Sequence, residues 1–248
     1  MGAVYILWIR QLKRHFRSKP RMIGSLGQPL LFLIALGFGF GPIYQKAGGG
    51  NYLQFLAPGI IAMSILFTAV FAGIEIIWDR QFGFLKETLV APVSRFHIMV
   101  GRTLGGATVA TLQGIIVFFL SILAGFRSEY LTMLPLALLF MFLIALLFTA
   151  LGTAIASVLE DMQAFPLISN FIIMPLFFLS GALFPLEGLP EAIGVVASYN
   201  PLSYGVDGLR GTLVNGMHFG LNVDFMVLGA VTVLLLFIGS YLFSKIEI

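Results

Sequence analysis

The side chains able to do acid–base, nucleophilic or metal chemistry are few and scattered. His15, His97 and His218 lie far apart, and no HExxH run places two of them on one helical face for a metal. The chain has no cysteine, which removes thiolate nucleophiles, disulfides and cysteine–zinc sites. Ser180–Gly181 is a lone Ser-Gly inside apolar sequence and reads as small residues packing helices. No GxxxxGK[ST] loop occurs, and no Gly-Lys pair at all, so ATP cannot be held by that type of phosphate loop. Two features with chemistry remain. One is Glu75, a carboxylate within an apolar run. The other is RQFGFLKETLVAPVSR, residues 80–95, a charged, Pro-containing island between two such runs.

These features must be positioned by membrane helices. Of 248 residues, 59% are hydrophobic and 10% charged, where a soluble domain carries about 25% charged residues. One core cannot hide so much apolar surface, so the chain reads as one transmembrane domain over residues 1–248. The predicted fold class is an all-α integral membrane protein. Six apolar runs, near 22–44, 57–78, 103–125, 134–158, 165–186 and 225–243, each approach the ~20 residues needed to cross a bilayer. The first has a long basic lead and no Ala-x-Ala site, so it is not expected to be a cleaved signal peptide. As drawn, five runs hold no Asp, Glu, Lys, Arg or His, and the second holds only Glu75, close to its end. A proton-driven carrier usually needs such a group deep in its path.

Eleven of the fourteen Lys and Arg residues fall on one side of these spans. That side is expected to be cytoplasmic, with both termini and the 80–95 island on it. Residues 1–21 are expected to form an interfacial amphipathic helix. Tyr5, Trp8, Ile9, Leu12 and Phe16 share its apolar face, and Arg10, Lys13, Arg14 and Arg17 lie mostly elsewhere. Nucleic acid is not an expected partner, because the basic residues flank the membrane instead of covering a soluble domain. Gly37/Gly41 and Gly101/Gly105 have the four-residue spacing that lets helices approach closely. Pro29 is expected to break the first span after Gln28.

In the island, Phe82, Leu85 and Leu89 recur on one side of a short helix, flanked by Lys86 and Glu87. Pro92 ends that helix at or before Ala91, and Ser94 caps the next. Such a helix either rests on headgroups or docks into a groove of a soluble protein. A second irregular segment, FFLSGALFPLEGLPEAIGVVASYNPLSYGVDGLRG, follows the fifth run. Pro190 starts one short helix ending near Ser198. Asn200 and Pro201 start another, running to about Arg210 and stopping at Gly211. Asp207 and Arg210 are spaced to pair. The segment reads as a re-entrant hairpin on the outer side, or as a plain interfacial loop.

Three stretches together resemble the membrane subunit of type-2 ATP-binding cassette exporters. They are GFLKETLVAPVSRFHIMVGR (83–102), PLFFLSGALFPLEGLP with NPLSYGVDGLRG (175–190 and 200–211), and YLQFLAPGIIAM (52–63). The resemblance implies a homodimer of permeases working with two copies of a separate ATPase, which would bind ATP and magnesium; this chain would hold no cofactor and catalyse nothing. It implies that Phe82, Gly83, Phe84, Leu85, Lys86, Glu87, Leu89 and Pro92 form the coupling helix that sits in the ATPase. It implies re-entrant outer helices at 185–211, with Pro185, Pro190, Asn200, Pro201, Tyr204, Asp207 and Arg210 as an outer gate. Trp8, Leu12, Phe16, Arg14 and Arg17 would belong to the interfacial helix, set against membrane lipid. The expected cargo is a drug-like or lipid-like amphiphile, with a glycan or glycolipid as the alternative. The expected location is a prokaryotic inner or plasma membrane. A self-sufficient secondary transporter and a non-transporting scaffold are the competing classes.

Overall fold

A computed structural model describes the chain apart from residues 1, 47–49, 91, 187–189, 215 and 247–248, and apart from the side chains of residues 87 and 89. Among the described residues there is no strand. The elements are α1 (Gly2–Arg17), α2 (Lys19–Lys46), α3 (Tyr52–Phe71), α4 (Ile74–Gln81), α5 (Phe84–Val90), α6 (Arg95–Leu123), α7 (Leu134–Val158), α8 (Ala164–Phe178), α9 (Glu191–Tyr199), α10 (Pro201–Leu213) and α11 (Leu221–Ser244). A single 3-10 turn, Leu131–Met133, precedes α7.

Among the described residues, five stretches are long and apolar enough to cross a membrane: Lys19–Lys46, Tyr52–Gln81, Arg95–Leu123, Leu131–Val158 and Leu221–Ser244. The fifth predicted run, 165–186, behaves differently. Its helix stops at Phe178 after 15 residues. Pro175 weakens the last turn, the Ser180 hydroxyl takes the Phe177 carbonyl, and Gly181 adopts φ +75°. That left-handed backbone suits a residue without Cβ, so Ser180–Gly181 ends a helix where packing alone was expected. The opposite error occurs at Pro29, where α2 runs on unbroken through Pro29 and Pro42. One lost backbone bond does not end a helix whose other turns remain intact.

The enclosed element is α3. Leu56, Ile60, Ile61 and Ile65 are fully buried, and Gly59 abuts the Ala182 backbone so closely that a Cβ would clash. Around it stand α2, α6, α7 and α10. Lipid tails are as apolar as leucine, so close packing rather than water exclusion holds these helices together. At the end of α3 the helical ladder tightens. Gly73 N–H bonds Val70, Glu75 N–H bonds Ala72 and Ile76 N–H bonds Gly73, three-residue turns in each case. Here Gly73 and Gly152 of α7 form a backbone contact with room for neither Cβ.

The glycine pairs divide. Gly101 and Gly105 receive α1, not another span: a Cβ on Gly101 would lie 3.0 Å from the Val4 carbonyl, and one on Gly105 would strike Gln11. Gly37 packs on Leu53, while Gly41 faces open space. The apolar face expected of α1 divides too. Trp8 donates from Nε1 to Thr108 Oγ1 at 3.0 Å, and Leu7 is buried, but Tyr5 and Phe16 stay exposed. Replacing Gly152 by Val should cost about 1–3 kcal/mol, as overpacking does, and lower the melting temperature of purified protein in detergent. Gly41→Val, in open space, should leave it unchanged.

Candidate coupling site

The short helix α4 carries Glu75 and Asp79 four residues apart, hence on one face. Both are buried, at 7% and 3% exposure. A carboxylate at a helix C-terminus faces the negative end of the macrodipole, so Asp79 needs cations, and four arginines from three other helices surround the pair. Arg102 of α6, 4% exposed, reaches Asp79 at 2.5 Å. Arg10 of α1 donates to both Asp79 oxygens at 3.1 and 3.2 Å. Arg14, one turn along, lies 3.4 Å from Asp79 and 3.7 Å from Glu75. Arg21 of α2 reaches Glu75 at 3.1 Å. The Arg14 guanidinium also lies 5.5 Å from the Trp78 ring centre.

This cluster corrects the reading of the spans as nearly free of charge. The helix of the third run begins at Arg95, not near 103, so Arg102 is enclosed by helix and counts for more than topology. Asp224 lies inside α11, which begins at Leu221, and it is fully buried. Asp79 sits just past the apolar run, where hydropathy gives no sign of its burial. Its signal in the sequence is the pair of carboxylates spaced four apart, matched by Arg10 and Arg14 at the same spacing. Part of the basic face of α1 is therefore turned toward Asp79, inside the protein.

From α4 the chain turns at Gly83, φ +78°, into α5, which ends at Val90 ahead of Pro92 as expected. The predicted Phe82–Leu85–Leu89 stripe does not form one outward face. Leu85 is buried at 1%, holding α5 onto the bundle, while Phe82, Phe84 and Val90 are 66%, 52% and 84% exposed. Lys86 is exposed; the Glu87 and Leu89 side chains lie outside the described residues. A cleft of about 720 Å³ opens between α1 and the end of α4 where it turns into α5, lined by Arg10, Arg14, Arg17, Trp78, Asp79, Phe82 and Phe84 among others. Ser94 caps α6 as expected, accepting from His97 N–H. Arg80 pairs with Glu160 at 2.7 Å. Arg95 holds the end of α11 through the Ser244 and Ile246 carbonyls at 2.7 and 3.0 Å.

At the other end, Asn200 caps α10 through Leu202 N–H at 3.0 Å and donates to the Leu176 carbonyl at 2.6 Å, joining α8 to α10. Tyr204 donates to the Ser198 carbonyl. Pro190 precedes α9, and Pro185 lies by a cavity shared with Asp207 and Arg210. The expected Asp207–Arg210 pair does not form. Asp207 accepts from the backbone of His218 and Phe219, each at 2.7 Å. Arg210 donates to the Gly181 carbonyl at 3.0 Å and lies 4.0 Å from the Phe55 ring centre. Nor does Gly211 end α10, which continues to Leu213 with Thr212 and Leu213 buried.

Residues 2–214 match the family described as ABC-2 type transporter. The chain belongs to that family. Among curated proteins it is 30% identical over 214 residues to Nodulation protein J of Rhizobium leguminosarum bv. viciae, covering 84% of this chain and 82% of that protein. It is 29% identical over 210 residues to the putative transport permease ycf38 of Cyanophora paradoxa, covering 82% and 71%. A ycf38 protein of Pyropia yezoensis is 31% identical over 204 residues, covering 79% and 68%. This ABC-2 chain is thus a multi-pass membrane permease of a transport family. Its Asp79 cluster ties α1, α4 and α6 together beside the exposed α5.

Replacing Asp79 by Asn strands Arg102 without its counter-charge. Breaking a buried pair from one side costs about 3–5 kcal/mol. Asp79→Asn should therefore release α1 to proteolysis near Arg10 and lower the melting temperature sharply. Glu160→Gln, which breaks an exposed pair worth about 0–1 kcal/mol, should do neither.

Proposed function

We propose that this permease exports an amphiphile, driven by a separate ATP-hydrolysing subunit that docks on α5. The observation that carries the reading is the mounting of α5. Leu85 and the α4 charge cluster fix it to the bundle, Phe82, Phe84 and Val90 are exposed, and Phe82 and Phe84 line a cleft with Arg10, Arg14 and Arg17. A partner gripping those side chains would move α4 directly, and α1, α2 and α6 through Asp79 and Glu75. The chain has no phosphate loop of its own, which agrees with an engine on another chain.

The basic end, which holds α1, α5 and the end of α11, is then cytoplasmic, as the arginine and lysine distribution favours. Helices α8, α9 and α10 form the sixth crossing and the re-entrant outer hairpin, with α10 packed deep against α3, α7 and α11. Two copies would assemble with two ATPases. The sparsely covered α2 would face the second copy or the passage between them, and its exposed Leu31, Ile34 and Phe38 suit a greasy cargo. The competing reading is self-sufficient proton-driven transport, for which buried Asp224 is the favouring observation.

Phe84→Asp places a charge on the exposed face of α5 and should abolish copurification of the ATPase, or ATP-driven cargo movement in vesicles, with membrane insertion intact. Leu85→Asp is a poorer probe, since it also dislodges α5 from its own bundle. Normal coupling in Phe84→Asp would refute the docking assignment. Uphill transport by the chain alone under a proton gradient would favour the competitor.

A further inference from the structure

Asp224 stands in the first turn of α11 and is fully buried. Neither of its side-chain oxygens has a hydrogen-bond donor among the described residues. Several hydroxyls are buried without a partner too, but a hydroxyl can turn onto a carbonyl of its own helix. A carboxylate can only accept. The other buried ionisable groups are served: Glu75 has Arg21, Asp79 and Arg102 have each other, and Asp207 has the backbone of His218 and Phe219. Among the described residues, Asp224 is the buried ionisable group that no donor reaches.

What does reach it is a second carboxyl. Asp207 of α10 lies within hydrogen-bonding distance of Asp224. Two buried carboxylates repel at that range, and one proton between them turns the repulsion into a bond. The surroundings decide which group carries it. Asp207 accepts from His218 and Phe219 N–H at 2.7 Å and from Gly220 N–H at 3.4 Å, and Arg210 adds a positive charge beside it. These partners favour its ionised form. Asp224 has none of them. The start of a helix favours negative charge, but a like charge in contact is the larger effect. Tyr204 also faces Asp224, yet its hydroxyl donates to the Ser198 carbonyl. The exposed His218 ring lies edge-on to Phe219, and Tyr44 borders the cavity that Asp207 and Arg210 share. Glu129 meets the end of α10 through its backbone, at the Leu213 carbonyl. Helix α7, packed along α11, carries no ionisable side chain, and those of α6 lie in its first turns, at the basic end. One guanidinium thus stands by two carboxyls, and one proton completes the balance.

We propose that Asp207 and Asp224 form a proton-binding site, in which one shared proton bolts the start of α11 and the turn at 216–220 to α10. Gly216, Met217 and His218 of that turn wall the cavity of Asp207 and Arg210, so losing the proton to water loosens the wall. The bolt holds at low pH and opens as pH rises. The inference stands whether or not a partner docks on α5, and it gives Asp224 a resident proton where proton-driven transport needs a travelling one. Asp224→Asn keeps a donor toward Asp207 and cannot ionise. Hydrogen–deuterium exchange of the His218, Phe219 and Gly220 amides is compared in the full chain and this variant, in nanodiscs, at about pH 6 and about pH 9.5, between the ordinary carboxylate and lysine ranges. The two proteins should exchange alike at the lower pH. At the higher, the unsubstituted chain should exchange at least about tenfold faster than Asp224→Asn, as one pH unit beyond loss of the proton gives. Comparison at equal pH cancels the direct effect of base and any titration of His218. The unsubstituted chain alone supplies a second readout: a carboxylic-acid C=O band in the infrared at neutral pH, gone at the higher pH. Absence of that band at neutral pH, matched exchange in the two proteins at both pH values, or loss of gradient-driven transport in Asp224→Asn would overturn the proposal.

Discussion

A carboxylate buried at the end of a helix cannot stand alone, and Asp79 is such a group. The helix dipole opposes its charge, and removal from water costs several kcal/mol per ion. It is tolerable here because Arg102, Arg10 and Arg14 converge on it. The same demand decides where α1 lies. An amphipathic helix could float on headgroups, but two of its arginines are committed inward, and Gly101 and Gly105 leave room for it to press against α6. The interfacial helix thereby becomes part of the bundle.

That arrangement gives the basic end of the molecule its order. α4 and α5 are joined by the left-handed turn at Gly83, and Leu85 seats α5. Arg95 reaches the last carbonyls of α11, and Arg80 meets Glu160 beyond α7. Chain segments distant in sequence therefore meet around α5. The opposite end is organised by backbone contacts. Asp207 gathers N–H groups ahead of α11, Asn200 bonds the end of α8, and Arg210 bonds the Gly181 carbonyl. The first end is tied chiefly by charge to charge, with Arg95 adding bonds to main-chain carbonyls, and the other by side chain to main chain.

Much of this was legible in the residues. The long apolar runs gave the helices, and α7 matches its expected bounds. Ser94, Asn200 and Pro190 marked helix starts by local chemistry, and local chemistry is what a sequence displays directly. The misjudged features depend on partners far along the chain. Leu85 has the spacing of a helical stripe with Phe82, but the left-handed turn at Gly83 leaves Phe82 at the end of α4 and Leu85 in α5, where packing turns it inward. Asp207 and Arg210 have ideal spacing for each other, yet closer partners at Phe219 and Gly181 take them. Pro29 has the composition of a break and lies in an unbroken helix, whereas Ser180–Gly181, which looked like packing, ends one. Asp79 fell outside a window drawn on hydropathy, which scores a buried ion pair as loop.

The tightened turns at Ala72–Gly73 divide the second crossing mechanically. Three-residue turns inside a longer helix are its weakest stretch, and they often mark hinges. Below them, α4 is clamped to three neighbours by its acids; above them, α3 is embedded among α2, α6, α7 and α10. Displacement arriving through α5 would swing the lower segment with its bracket before any of it was passed upward. On the coupling proposed above, the crossing would act as a crank with Gly73 as its pin, and not as a piston sliding end to end.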